Sequence, residues 1–260
     1  LCGMMAEALA ALGVKVAILD IHAEKGRARE AAIAERGGTA RFFRCSVLSP
    51  VELQACFEQI GALWGPPDIL INGAGGNDPR GSTNCEFFEP GEVETPGLRT
   101  FFDLDYEGFR SVFDLNFLGT FLATRTFGRG MLERGRGAVL NISSMSAMTP
   151  LTQVAAYSAA KAAVSNFTRW LAVHFAHTGI RVNAIAPGFL LTEQLRFLHI
   201  DPLTGELTAR ARKVIAHTPM GRYGKPEELL GTVIWLLSDA SAFVTGVVVP
   251  IDGGFSSYTI

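Results

Sequence analysis

Short apolar runs alternate with amphipathic stretches from one end of the chain to the other, the pattern of strands joined by crossover helices. GMMAEALAAL reads as a helix stopped by Gly13, VKVAILD as a buried strand ending at Asp20, and AEKGRAREAAIAER as a helix closed by Gly37 and Gly38. A short strand, ARFFRC, precedes a helix with Ser49 as N-cap, Pro50 at its first position and Glu52 completing a capping box. DILIN is the next strand. A long helix over roughly Tyr106 to Met131 leads to the strand AVLNIS, and a second runs from about Tyr157 to Gly179. The strand IRVNAIA delivers PGF, Pro226 and Glu227 open another helix, and VVVPID is the last strand. The fold class expected is α/β: a doubly wound, Rossmann-type parallel sheet with helices on both faces.

Two segments fall outside this rhythm. Residues 73–105 are rich in Gly, Pro, Asn and Glu and exceed an ordinary strand-to-helix connection, so a functional insertion or flap is expected there. Residues 189–217 are mixed and amphipathic, and read as a substrate loop. The chain also opens inside what should be the helix after a phosphate-binding loop. A central first strand and most of a glycine-rich turn are therefore expected to be missing from the sequence given, since neighbouring backbone groups would otherwise lack partners.

Composition narrows the function classes. At 260 residues with 48% hydrophobic side chains, one domain spanning 1–260 can bury its own core. The net charge of −2 and the lack of a Lys/Arg run argue against nucleic acid as a partner. The apolar region TVIWLLSDASAFVTGVVVPI is broken by Asp239, two serines and Gly246, which argues against a membrane span. Cys2, Cys45, Cys56 and Cys85 show no CxxC spacing, so neither zinc nor a disulfide framework is expected, and a reducing cytoplasm fits. His174 and His177 have no evident third ligand, and Glu86, Glu89, Glu92 and Glu94 read as a solvated acidic face, so no metal is expected.

The chemistry is carried by YSAAK. Tyr157 and Lys161, four apart at a helix start, project from one face, and an ammonium there should lower the tyrosine pKa from about 10 towards neutrality, making a general acid/base. Alone that pair is weak, since such pairs occur by chance on solvated helices. The context strengthens it: NISS ends a strand at Ser144, thirteen residues before Tyr157, and INGAG and PGF end two others. With ILD, DLNFLGT, RVNAIAPG and VTGVVVPIDGG, these segments resemble the short-chain dehydrogenase/reductase family over essentially the whole chain, from Gly3 to Tyr258.

The resemblance implies a nicotinamide-dependent oxidoreductase. By it, Tyr157 donates or accepts the substrate proton, Ser144 hydrogen-bonds the substrate oxygen, Lys161 tunes Tyr157 and holds the nicotinamide ribose, and Asn116 helps to position a water. It also implies that Asp20 accepts the adenosine ribose hydroxyls and repels a 2′-phosphate, favouring NAD(H). Asn72, Gly73, Ala74 and Gly75 would lie under the adenine ribose, where small residues admit a ligand, and Pro187, Gly188, Leu190 and Thr192 would hold the carboxamide. Gly73 departs from the family's second asparagine, and Ser46 from an aspartate that meets the adenine.

Longer segments, among them INGAGGN, SAMTPLT, PGFLLTEQ and HTPMGRYGKPEELLGT, resemble the family's D-mannonate oxidoreductase (fructuronate reductase) group. That implies carbohydrate metabolism and a sugar-acid substrate, whose carboxylate needs a cation in the pocket. Arg196 is the candidate, with Arg80 and Arg99 behind it. A dehydrogenase of a neutral polyol and, from another class, a catalytically silent NAD-binding sensor or scaffold are the alternatives. A homotetramer, paired through the two long helices and the C-terminal strand, is the assembly the resemblance implies.

Overall fold

The alternation of elements is realised almost throughout. The computed structural model describes residues 1–192, 199–201 and 204–259. Its elements are α1 (Cys2–Ala11), β1 (Val16–Asp20), α2 (Ala23–Glu35), β2 (Ala40–Arg44), α3 (Pro50–Trp64), β3 (Ile69–Asn72), α4 (Tyr106–Phe113), α5 (Gly119–Arg134) and β4 (Gly137–Ile142). They continue with α6 (Ala155–His174), β5 (Ile180–Pro187), α7 (Ala209–His217), α8 (Leu230–Leu237) and β6 (Val248–Ile251). Together they form one α/β domain of Rossmann type, with parallel strands joined through helices.

The strands pair in two parallel sets, β1–β2 and β3–β4–β5–β6. No ladder joins the sets among the described residues, and β1 and most of β3 are half-buried while the body of β5 is buried. The carboxyl ends of β1 and β3 both approach Cys2. Its thiol lies 3.7 Å from the Gly73 carbonyl and feels the Asp20 carboxylate.

Alternation within the strands builds the layers. Val139 and Val182 pack with Met131 and Leu171 of α5 and α6, whereas Leu140 and Ile185 pack with Met5 of α1 and Val233 and Leu236 of α8. A third cluster joins Phe43 and Leu53 to Leu122 and Phe127. Each such side chain contributes about 1.5–3 kcal/mol through the area it removes from water.

Local details correct the sequence reading. Ser49 caps α3 through the Glu52 amide, but the Glu52 carboxylate takes the Ser46 amide at 2.8 Å instead of closing a capping box. The helix expected over Tyr106 to Met131 is interrupted by a π-helical stretch, Asp114–Leu118, and runs on to Arg134. α6 begins two residues before Tyr157 and ends at His174, and the chain reaches Gly179, at φ 75°, through turns. Pro226 opens a 3₁₀ turn before α8, since its ring and missing N–H suit a helix start only. Residues 73–105 hold three 3₁₀ turns, the last with its own capping box from Thr100 and Asp103. No helix among the described residues is long and apolar enough to cross a membrane.

Candidate active site

Parallel pairing brings the ends of β3, β4 and β5 into register: Asn72 lies opposite Asn141, Ile142 opposite Ile185, and Pro187 opposite Ile251. The segments that leave these ends carry the site, as in other open α/β sheets. Ser144 follows β4 in extended conformation and caps a short 3₁₀ turn, its Oγ accepting from the Ser146 amide at 3.2 Å and the Ser146 hydroxyl at 3.0 Å. The same hydroxyl neighbours Tyr157 in the first turn of α6 closely enough to favour its phenolate. Lys161, one turn on, is 5% exposed, donates to the Ile142 carbonyl at 2.7 Å and stands 5.7 Å from the centre of the Tyr157 ring.

Electrostatics depart from the expectation for Tyr157. Burial pushes its pKa above the usual 10, against a smaller opposing effect of the Ser144 hydroxyl. Lys161 does not lower it, because its ammonium lies by the ring and donates to the Ile142 carbonyl. Burial takes Lys161 itself down from 10.5 to about 8. Desolvation therefore governs both groups, favouring the neutral phenol and the neutral amine.

Asn116 is fully buried in the π-helical stretch, where the Gly119 amide reaches back five residues to Asp114 and the helix widens. Both of its amide protons are used, on the Gly76 carbonyl at 2.7 Å and the Val112 carbonyl at 2.8 Å, and its oxygen accepts from the Gly76 amide at 3.2 Å. Its side chain thus locks the loop after β3. No donor remains on it for the water that the resemblance implies.

The glycines also serve packing inside the protein. A Cβ at Gly75 would lie 2.6 Å from Asn116 Oδ1 and 3.2 Å from Lys161 Nζ. At Gly188 it would meet Asp252 Cα at 2.6 Å, and at Gly73 the Cys2 sulfur. The room these residues leave is filled by the protein, and Gly75 is what lets Asn116 and Lys161 converge.

Other expected contacts are redistributed as well. The Asn72 amide is spent on Thr124 at 2.9 Å and Asn141 at 2.8 Å, and Asn141 passes the chain on to Thr168. The Leu190 side chain is buried in the core, and its carbonyl accepts the Thr192 amide. A ligand contact from Asn72 or Leu190 would thus fall to their backbone. Pro187 ends β5, and Ala74 is exposed between Gly73 and Gly75. Asp20 keeps one carboxylate oxygen on the His22 amide at 2.8 Å, which holds the group at the end of β1. Arg80 is tied to Asp78, which neutralises its charge, and Arg99 donates to the Pro79 carbonyl. Arg196 lies outside the described residues.

One functional feature went unread in the sequence. Gln153 is the single non-glycine described with positive φ, at 73°, which costs about 1–2 kcal/mol for an L-residue. It lies on the segment between Ser144 and Tyr157. Its carbonyl accepts the Thr83 amide, its Nε2 donates to the Asn84 carbonyl, and its Oε1 accepts from Arg210. A glutamine before a helix carries no sequence signal for such a junction.

A short-chain dehydrogenase family model, described as Enoyl-(Acyl carrier protein) reductase, matches residues 2–256. The chain belongs to the short-chain dehydrogenase/reductase family. This short-chain dehydrogenase is 51% identical over 260 residues to an uncharacterized oxidoreductase, UxuB, of Bacillus subtilis (strain 168), covering 100% of this chain and 92% of the relative. It is 32% identical over 252 residues to D-threitol dehydrogenase of Mycolicibacterium smegmatis, covering 97% and 87%. A solved structure from Haemophilus influenza, provisionally described as a D-mannonate oxidoreductase with bound NAD, superposes with a TM-score of 0.94 at 47% identity, covering 99% of this chain and 91% of that one. The dehydrogenase is accordingly an oxidoreductase of a family that binds NAD(P), and the silent sensor or scaffold is set aside.

Proposed function

We propose that the enzyme interconverts a hydroxyl and a ketone on a sugar acid, D-mannonate and D-fructuronate, with NAD(H). The observation that carries the reading is the 47% identity, over nearly the whole chain, to a structure with bound NAD provisionally described as a D-mannonate oxidoreductase. The D-threitol dehydrogenase relative favours a second reading, oxidation of a neutral polyol.

The residues fit the dinucleotide. The buried Lys161 ammonium can donate three hydrogen bonds, yet it makes one, to Ile142, among the described residues. A ribose diol would take the others and offset the burial that pulls its pKa to about 8. Asp20, with one oxygen engaged by His22, offers the other to the adenosine ribose and repels a 2′-phosphate. Pro187, Gly188 and Thr192, at the end of β5, would hold the carboxamide.

NAD(H) supplies or accepts the hydride. The protein itself moves the proton. Ser144 Oγ holds the substrate oxygen, and Tyr157 Oη, beside it, delivers the proton to that oxygen. Burial keeps Tyr157 a phenol at neutral pH, the form that ketone reduction requires.

A panel of hexuronates, aldonates and neutral ketoses, each assayed with NADH and NADPH by absorbance, tests the reading. D-fructuronate with NADH is expected to give the highest kcat/KM. No detectable fructuronate reduction removes the substrate, and equal use of both cofactors removes the Asp20 assignment.

The assembly is proposed to be a homotetramer in the cytoplasm. Supporting it is an aromatic ridge on the π-helical stretch and α6, where Phe117 packs edge-on to Phe167, Phe167 stacks on Trp170 and Trp170 on His174. Trp170 is 55% exposed and Val173 78%. A second apolar set, Trp235, Phe243 and Val247, flanks β6. Patches of this kind mark interfaces more often than free surface. Sedimentation at micromolar concentration is expected to give four copies, and a monomer would refute the assembly.

A further inference from the structure

Carboxylate recognition requires a cation that the fold has not already neutralised; Arg80 is paired with Asp78, and Arg99 is held on the Pro79 carbonyl within residues 73–105. We infer that Arg210, aimed by Gln153, receives the carboxylate of the substrate. This inference rests on the sugar-acid reading given above.

Three observations converge on that residue. First, Arg210 Nη1 donates to Gln153 Oε1 at 2.6 Å, and Gln153 lies on the segment between Ser144 and Tyr157, which neighbour each other. The guanidinium is thereby tied to the segment that joins those two residues. The amide it meets is neutral, so this contact leaves its charge uncompensated.

Second, Arg210 forms no ion pair among the described residues, although an acid is at hand. Glu86 of the 73–105 segment reaches α7, but it pairs with Lys213, one turn further on, at 2.9 Å. The field of Arg210 is felt instead by His199 and Tyr223, which hydrogen-bond to each other at 2.6 Å, and it adds to burial in lowering the His199 pKa. Neither partner supplies a negative charge.

Third, the position works against the helix. Arg210 stands in the first turn of α7, which has no acidic residue, beneath the Thr208 cap. A cation there opposes the helix dipole, whereas a bound anion would be favoured by both. The left-handed backbone of Gln153 is a second local cost at the same junction, and its side chain is engaged on both sides, by Arg210 and by Asn84. Unfavourable choices at one point indicate a ligand that offsets them.

The proposal assigns Arg210 to substrate contact and Gln153 to positioning. Its test is the ratio of kcat/KM for D-fructuronate to that for D-fructose, both with NADH, in the full chain. Arg210→Gln is expected to lower that ratio by about ten- to a hundredfold, the range of one charge-assisted hydrogen bond, mainly through KM for the acid. Arg210→Lys should restore part of it, because the charge returns without the planar fork. Gln153→Ala should lower the ratio less. An unmoved ratio in an Arg210→Gln protein that still binds NADH overturns the assignment. If that variant does not bind NADH, Gln153→Ala and Arg210→Lys are read on the same ratio, and no fall in either overturns it. If the parent reduces no hexuronate, the sugar-acid reading fails separately. Arg210 is then judged on other keto acids against their neutral amides, where a ratio insensitive to Arg210→Gln, or activity on the neutral compounds alone, refutes it.

Discussion

Tyr157→Phe is expected to lower kcat for carbonyl reduction by about 10²–10⁴-fold, the usual contribution of an aligned acid, with NADH binding retained. The reason is local. The hydroxyl removed is the group that neighbours Ser144, while the ring that packs with Val112, Ala156 and Ala160 and neighbours Lys161 remains. Loss should therefore fall on proton delivery and leave the cofactor's ribose contacts in place. Stopped-flow hydride transfer and NADH fluorescence separate the two. A rate within about tenfold of the parent would sink the assignment, since the low end of acid catalysis already exceeds it.

Lys161→Met is expected to abolish turnover and yet to stabilise the cofactor-free protein at pH 7 by roughly 1–2 kcal/mol. The lysine pKa falls from 10.5 to about 8 on folding, because burial penalises the ammonium. Between those values the unfolded chain holds the proton more tightly than the folded one, so stability rises with pH across that window. Below about pH 8 the folded state carries the whole cost, on the order of 3 kcal/mol at about 1.4 kcal/mol per pH unit. Methionine keeps a comparable length without the charge, and gives up the hydrogen bond to the Ile142 carbonyl, about 1 kcal/mol. The gain should vanish as pH climbs from 8 to 10.5, and saturating NADH should reverse it at pH 7 by binding the parent. Urea unfolding at pH 7 and pH 10, with and without NADH, measures each arm. A parent more stable than the variant at pH 7 without cofactor would show that the ammonium is not a net cost. Such a penalty is the kind a functional site carries and the rest of the fold offsets.

Both predictions concern residues whose types were legible in the chain, but whose energetics were not. YSAAK and NISS bring forward a tyrosine, a lysine and a serine hydroxyl, and spacing alone puts Tyr157 and Lys161 on one helical face. Which interaction dominates at that face depends on solvent exclusion by α4, the π-helical stretch and β4. The expected lowering of the Tyr157 pKa fails for that reason: burial of the phenolate outweighs an ammonium whose hydrogen bond goes to Ile142. The glycines show the same limit. Their smallness is plain in INGAG, but whether a ligand or Asn116 and Lys161 fill the space is a matter of packing.

The sequence by itself determined the order of helices and strands, their parallel arrangement, the family and the placing of Tyr157 and Lys161 on one helical face, because these follow from periodicity and from residues close in the chain. It put Asp20, Asn72 and Pro187 at or beside strand ends before any contact was known. Tertiary structure alone decided which neighbour each arginine meets. Arg80, Arg99 and Arg210 are equivalent as letters, and only folding sets two of them on Asp78 and the Pro79 carbonyl and leaves the third on Gln153, 57 residues away in the chain. A charge is free or spent according to neighbours brought in from distant segments, and burial, the strongest influence on Tyr157 and Lys161, is a property of the assembled layers.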